Sequence, residues 1–178
     1  MSSSEFTAGT VISLTADRYI VVADVAAATE VFEKLALTAQ PAGVPTWHWH
    51  DIQAGIVLIT AATKEEFVPQ MVNFDQIGGV SFHKGCFPGQ EVVARARYLG
   101  KIKRHLYRIK ATGAISAGDS LFEAGNHEQA SGIVASVAPT QDGGFVALAV
   151  IKESAIASDE IHIEIPGVTV TGLEAVVV

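Results

Sequence analysis

A chain of 178 residues, 49% hydrophobic and 17% charged, holds enough apolar material for one ordinary domain or two small ones, which excludes a disordered chain. Its net charge of -7 argues against a surface that coats nucleic acid, and its single cysteine excludes an internal disulfide framework. No apolar run reaches the ~18 residues of a membrane-crossing helix, and Met1–Phe6 carries no secretory pattern. The expectation is therefore a soluble cytoplasmic protein without membrane contact.

Along the chain, Val11–Leu14 and Tyr19–Val22 read as short strands around Asp17-Arg18, a hairpin. Asp24 is placed to cap a helix running to about Leu37, with Val25, Ala28, Phe32 and Leu35 near helical spacing. Pro41, Gly43 and Pro45 interrupt the chain, and Ile56–Ile59 reads as a buried strand. Thr63 with Glu66 has capping-box spacing for a short helix. Between Gly78 and Gly89 four glycines and a proline predict a shaped loop rather than regular structure. A helix is predicted over Glu91–Leu99, with Val92, Ala96 and Leu99 as its apolar stripe and Glu91–Arg95 as an i,i+4 pair.

From Arg104 the pattern changes to short apolar runs: Leu106–Ile109, Ser120–Phe122, Gly132–Val137, Phe145–Val150, Ile161–Ile165 and Val168–Val170. Turn residues separate them, as in a small antiparallel barrel or sandwich. The predicted fold class is α+β, with a boundary near Lys103 between an α/β portion (1–103) and a β-barrel-like portion (104–178).

Chemistry concentrates around Cys86. Gly85 and Gly89 are read as residues that open backbone angles or let a ligand approach the main chain. Lys84, Arg95 and the start of the following helix add positive potential that would favour a thiolate. The plain alternative is a small buried hydrophobe. Arg95, Arg97, Lys101, Lys103, Arg104, Arg108 and Lys110 are seven of the twelve basic residues, with no acid among them. Such a run is either a solvated face or a local anion site for a phosphate, a polyglutamate tail or RNA. A metal site built from His48, His50, Asp51, His83 and Cys86 requires the His-x-His pair to lie on an extended strand. No Cys-x-x-Cys or His-Glu-x-x-His spacing supports it, so no metal is assigned.

Four blocks in order resemble the YgfZ-like folate-binding proteins. Lys84-Gly85-Cys86-Phe87-Pro88-Gly89-Gln90-Glu91 is similar to the K-G-C-(aromatic)-x-G-Q-E signature, continued from Val92 to Lys103. Trp47–Ile56 resembles W-x3-D-I-x-A-G-I, Phe67–Gln70 resembles F-(I/V)-P-Q, and Gly78–Phe82 resembles G-G-(I/V)-S-F. The resemblance implies a remnant of the T-protein-like folate-binding fold over 1–103. Longer family members carry about a further domain's length ahead of the corresponding segment, so the chain is expected to start midway through that fold.

The same resemblance implies tetrahydrofolate or a derivative as cofactor, bound at Trp47, and Cys86 as the reactive thiol, with Lys84, Gly85, Gly89, Gln90, Glu91 and Arg95 supporting it. It implies an accessory role for iron–sulfur enzymes or their assembly factors, including enzymes that modify tRNA. The alternative is a folate-dependent aminomethyl or methyl transferase. A K-x-F-I-G-(R/K)-E segment would then be expected where this chain has the cysteine version, and the key acidic residue of that transferase would lie upstream of this chain.

Overall fold

The N-terminal alternation of apolar and polar residues becomes an antiparallel meander. In the computed structural model, which describes residues 2–85, 90–98, 100, 102–157 and 160–176, the strands are β1 (Ser2–Phe6), β2 (Gly9–Ser13) and β3 (Tyr19–Ala23). The predicted hairpin is β2–β3, with Val11 opposite Val21 and Ser13 opposite Tyr19. Its turn is closed by Leu14 N–H donating to the Arg18 carbonyl at 2.8 Å and Tyr19 Oη donating to the Ala16 carbonyl at 2.7 Å. Strand β1 is Ser-rich and exposed throughout; it forms through backbone pairing alone, so side-chain periodicity could not announce it.

Helix α1 spans Ala28–Ala36 and differs from expectation in two respects. Asp24 does not cap it: the Asp24 carbonyl accepts from Ala27 N–H in a preceding turn, and the N-cap is Ala27. The apolar stripe is also exposed, with Phe32 at 61%. These elements make up one compact unit, Met1–Gly43.

The second unit, Val44–Val178, is built on a six-stranded antiparallel sheet. Its strands are β4 (Arg104–Ala111), β5 (Ser120–Glu123), β6 (Gly132–Pro139), β7 (Phe145–Lys152), β8 (Ile161–Ile163) and β9 (Val170–Ala175), in the order β8-β5-β6-β7-β4-β9. Five of them arise from the predicted apolar runs; β9 begins only at Val170, the last residue of the run Val168–Val170, and continues beyond it to Ala175. The edge strands β8 and β9 approach within 8 Å between Cα atoms, so the sheet curls towards a barrel.

Two cores lie on opposite faces of this sheet. Ala147, Ala149 and Ile151 of β7 belong to one, with Ile109, Leu121, Val134 and Ala155. Val146, Leu148 and Val150 belong to the other, with Leu106, Ala138, Ile52 and Val72. Period-two alternation along β7 therefore feeds both cores, which is why its sequence reads as a continuous apolar run. In β6, Val134 and Ala138 serve different cores because a register shift between Val134 and Ser136 changes the phase.

The second core is covered by residues from 44 to 73. Helix α2 (Val44–Gln53) contributes fully buried Ile52, and a 3-10 turn at Pro69–Val72 contributes Val72. Residues 56–59 are not the strand expected: Leu58 and Ile59 are exposed, while Val57 packs on the second core. This run lies over the sheet face, and its Leu58 N–H donates to Ser136 Oγ at 3.1 Å beside the bulge instead of entering the ladder. The capping box is also displaced, pairing Thr60 with Thr63 around a 3-10 turn at Ala61–Thr63 rather than Thr63 with Glu66. Helix α3 spans Gln90–Tyr98 and α4 spans Glu153–Ile156. Among the described residues no helix is long and apolar enough to cross a membrane.

Candidate functional site

Helix α2 presents two different sides. Proline at its second position suits the first helical turn, where the missing N–H would have no intrahelical partner. Pro45, Thr46, Trp49, His50 and Gln53 follow the 3–4 residue spacing of one helical face and form one wall of an open groove of about 1030 Å³. Opposite them stand Arg108 and Lys110 of β4, Thr171 and Glu174 of β9, and the turn joining β6 to β7. Arg108 and Lys110 are two apart on a strand and so share a face. This is where the basic run noted in the sequence meets a concave surface.

Trp49 packs on the second core and also lines the groove, with its ring edge-on to His50 at a centroid distance of 5.0 Å. Trp47 lies two residues earlier, about 200° around the helix. It is 39% exposed and does not line the groove. The same geometry corrects the His-x-His reading. His48 and His50 sit on a helix rather than a strand, so their imidazoles point apart.

The groove is electrostatically mixed. Arg108 Nη1 donates to Gln53 Oε1 at 3.2 Å and approaches Glu174 Oε2 at 3.5 Å. Its Nε is buried and has no acceptor among the described residues. Asp142 at the turn is held below the usual carboxylate range, first by the Thr140 hydroxyl, then by its own and the Gly144 N–H, and also by Lys110. Trp49, the cations Arg108 and Lys110 and the carboxylates Asp142 and Glu174 thus share one groove, whose volume is that of a ligand pocket.

The cysteine signature is only partly described. Cys86 and Gly89 lie outside the described residues. Lys84 is exposed, and Gly85 has no positive φ, so its backbone angles do not call for glycine, while no described atom lies within 4 Å of where its Cβ would stand. Gln90 opens α3, and Glu91 pairs with Arg95 at 2.8 Å as expected, both side chains well exposed. Val92, predicted on the apolar stripe, is 60% exposed; the Ala96 side chain and Leu99 lie outside the described residues. A contact the sequence did not reveal anchors the helix. Buried Gln70 donates through Nε2 to the Val93 carbonyl at 2.6 Å.

The tRNA-modifying protein YgfZ of Yersinia pestis (strain Pestoides F) is 38% identical to the chain over 152 residues, covering 84% of this chain and 46% of that protein. The tRNA-modifying protein YgfZ of Yersinia pseudotuberculosis serotype O:1b (strain IP 31758) aligns with the same identity and coverage. The chain belongs to the YgfZ-like family. It spans about half the length of the curated relatives it matches. No protein-family model matches the chain.

Several YgfZ-like sequence blocks acquire physical meaning from the fold. Asp51-Ile52-Gln53-Ala54-Gly55-Ile56 is a helix stop. Ile56 N–H donates to the Asp51 carbonyl at 2.8 Å and Gly55 N–H to the Ile52 carbonyl at 3.1 Å, with Gly55 at φ 70°. Phe67-Val68-Pro69-Gln70 supplies the 3-10 turn and the side chain that ties it to α3. In the Gly78–Phe82 block, a Cβ on Gly79 would lie 2.5 Å from the Phe74 ring, so a side chain there requires the ring to move. The family pattern upstream of Cys86 is thus largely a scaffold of stops and ties.

Proposed function

We propose that the protein binds a reduced folate in the groove between α2 and the sheet and uses Cys86 to support iron–sulfur enzymes, including ones that modify tRNA. In this reading residues 1–103 derive from a T-protein-like folate-binding fold. The observation that carries it is the combination of Trp49 with Arg108 and Lys110 along one groove. A pterin or aminobenzoate ring stacks on an indole, and the glutamate carboxylates meet the two cations. In this reading the positive potential of Lys84 and of the α3 start, two and four residues from Cys86 in sequence, would favour a thiolate. The family relationship, and the name of the relatives as tRNA-modifying proteins, support the accessory role.

The two tryptophans make the ligand site testable by fluorescence, because both lie on α2. Tetrahydrofolate should quench the protein, and Trp49→Phe should remove most of the quenching while Trp47→Phe keeps it. The reverse pattern would move the ligand to Trp47, and no quenching in wild type would sink the folate reading. For the accessory role, Cys86→Ala should accumulate normally but fail to restore iron–sulfur enzyme activity in cells lacking the protein. Full complementation by that variant would remove Cys86 from the mechanism.

A further inference from the structure

At the sheet edge formed by β8, three ligand-type atoms converge that the groove does not use. His127 Nδ1 lies 3.1 Å from Glu164 Oε1 and 3.4 Å from His162 Nε2, and the three side chains offer ligand atoms all within 4.8 Å of one another. His162 is in β8 and Glu164 follows two residues later, the spacing that keeps two side chains on one side of an extended segment. His127 comes from the connection between β5 and β6. That connection is fixed by Ala124 N–H donating to the Glu160 carbonyl at 3.1 Å and Asn126 N–H donating to the Glu123 carbonyl at 3.1 Å. The His162 ring is held between Phe122, its cross-strand partner at 5.9 Å, and His127 at 5.0 Å.

Either tautomer of His127 satisfies one contact: with a proton on Nδ1 it donates to Glu164 Oε1, and without one it accepts from His162 Nε2 while its lone pair faces the carboxylate. A cation accepts from all three at once. With metal–ligand bonds of 2.0–2.1 Å, tetrahedral geometry separates neighbouring ligand atoms by about 3.3 Å, close to both observed spacings. We propose that His127, His162 and Glu164 form a binding site for a divalent first-row transition metal, with zinc as its natural fit. Two imidazoles and one carboxylate suit zinc and leave a coordination position open to solvent. His127 and Glu164 side chains are 64% and 50% exposed, so the ion can enter without rearrangement of the core. Bound there, it clamps the β5–β6 connection onto the sheet's edge strand β8.

Tag-free protein, stripped with a chelator, tests this by calorimetric titration with zinc chloride, in wild type and in Cys86→Ser to remove thiolate binding. One zinc per chain is expected in both, with a zinc-dependent rise in melting temperature. His162→Ala and His127→Gln should each weaken zinc at least about a hundredfold and abolish that rise. His127→Gln, on an exposed connection, keeps the test readable if His162→Ala unfolds. The proposal is overturned if His127→Gln retains affinity within about threefold, if Cys86→Ser alone removes the site, or if wild type takes up no zinc.

Discussion

The Gln70–Val93 hydrogen bond offers the sharpest test of how the scaffold holds the signature helix. Gln70 is 7% exposed, and its Nε2 donates at 2.6 Å to a carbonyl in α3, while its Oε1 has no donor among the described residues. In Gln70→Leu the volume is nearly kept and one buried hydrogen bond is lost, at about 1 kcal/mol. For a chain of this size that corresponds to ~2–4 °C in melting temperature. Gln70→Glu removes the donor and also directs a buried carboxylate at the carbonyl oxygen. Its cost should reach ~3 kcal/mol at neutral pH, because an unpaired buried charge is left without compensation. The introduced carboxyl would have a raised pKa in the folded state, so its deficit should shrink as pH falls and the protonated form donates again. Thermal melts at pH 7 and pH 5, with hydrogen exchange of α3 amides, measure both effects. If Gln70→Glu is no worse than Gln70→Leu at pH 7, the donor role assigned to Gln70 is wrong.

Gly55→Ala places a Cβ at φ 70° in the α2 stop and should cost about 1 kcal/mol, seen as a lower denaturation midpoint with unchanged slope. Glu91→Gln breaks an exposed ion pair, so stability should shift by no more than ~0.5 kcal/mol; a larger loss by denaturant titration would reveal a contact beyond Arg95. Tyr107 is pushed above the ordinary tyrosine value of about 10, first by burial and then by Glu153. Its contribution to stability is complete below that value and declines as pH rises through the folded pKa. Tyr107→Phe should therefore lose less stability than wild type above pH ~10 in alkaline melts. Asp142 has the opposite sign: its depressed pKa keeps the 140–144 turn intact until pH falls below the usual carboxylate range. Amide shifts of Gly144 should stay unchanged down to about pH 4, and earlier opening would contradict the Thr140 and backbone bonds assigned to that carboxylate.

Five strands of the sheet were legible because their apolar runs are short and separated by turn residues, the pattern that a two-faced sheet imposes on sequence, whereas β9 lies almost wholly beyond the run Val168–Val170. Helix α3 was legible through Glu91 and Arg95, whose spacing is local. Elements whose justification is distant were not. Ile56–Ile59 is apolar enough for a strand, but its place over the sheet face is decided by the bulge near Ser136. Strand β1 needs only a partner backbone, and the exposed stripe of α1 has the period of a buried one. At the site, Arg108 and Lys110 were visible as charge but not as a groove wall, because the opposing wall comes from α2, more than fifty residues earlier in the case of Gln53 and Arg108. The roles of Trp47 and Trp49 turn on whether the segment is a helix, and proline at position 45 with Pro41 and Gly43 before it read as a break rather than a helix start. His127 and His162 were separated by 35 residues and had no motif to join them.

The strand order also dictates a sequence of events in time. β6 and β7 are neighbours in chain and in sheet, closing at Pro139 opposite Phe145, whereas β4 meets β7 by pairing Ala111 with Phe145 and β9 by pairing Ala111 with Val170. Loop-closure entropy rises with the length spanned, so the β6–β7 hairpin is the natural nucleus, and β9 joins late. Substitutions within that hairpin, such as Val137→Ala, should slow refolding. Leu173→Ala in β9 should instead speed unfolding and leave the refolding rate nearly unchanged. The strand that completes one wall of the groove would then be the last to arrive, making ligand-binding competence a late product of folding.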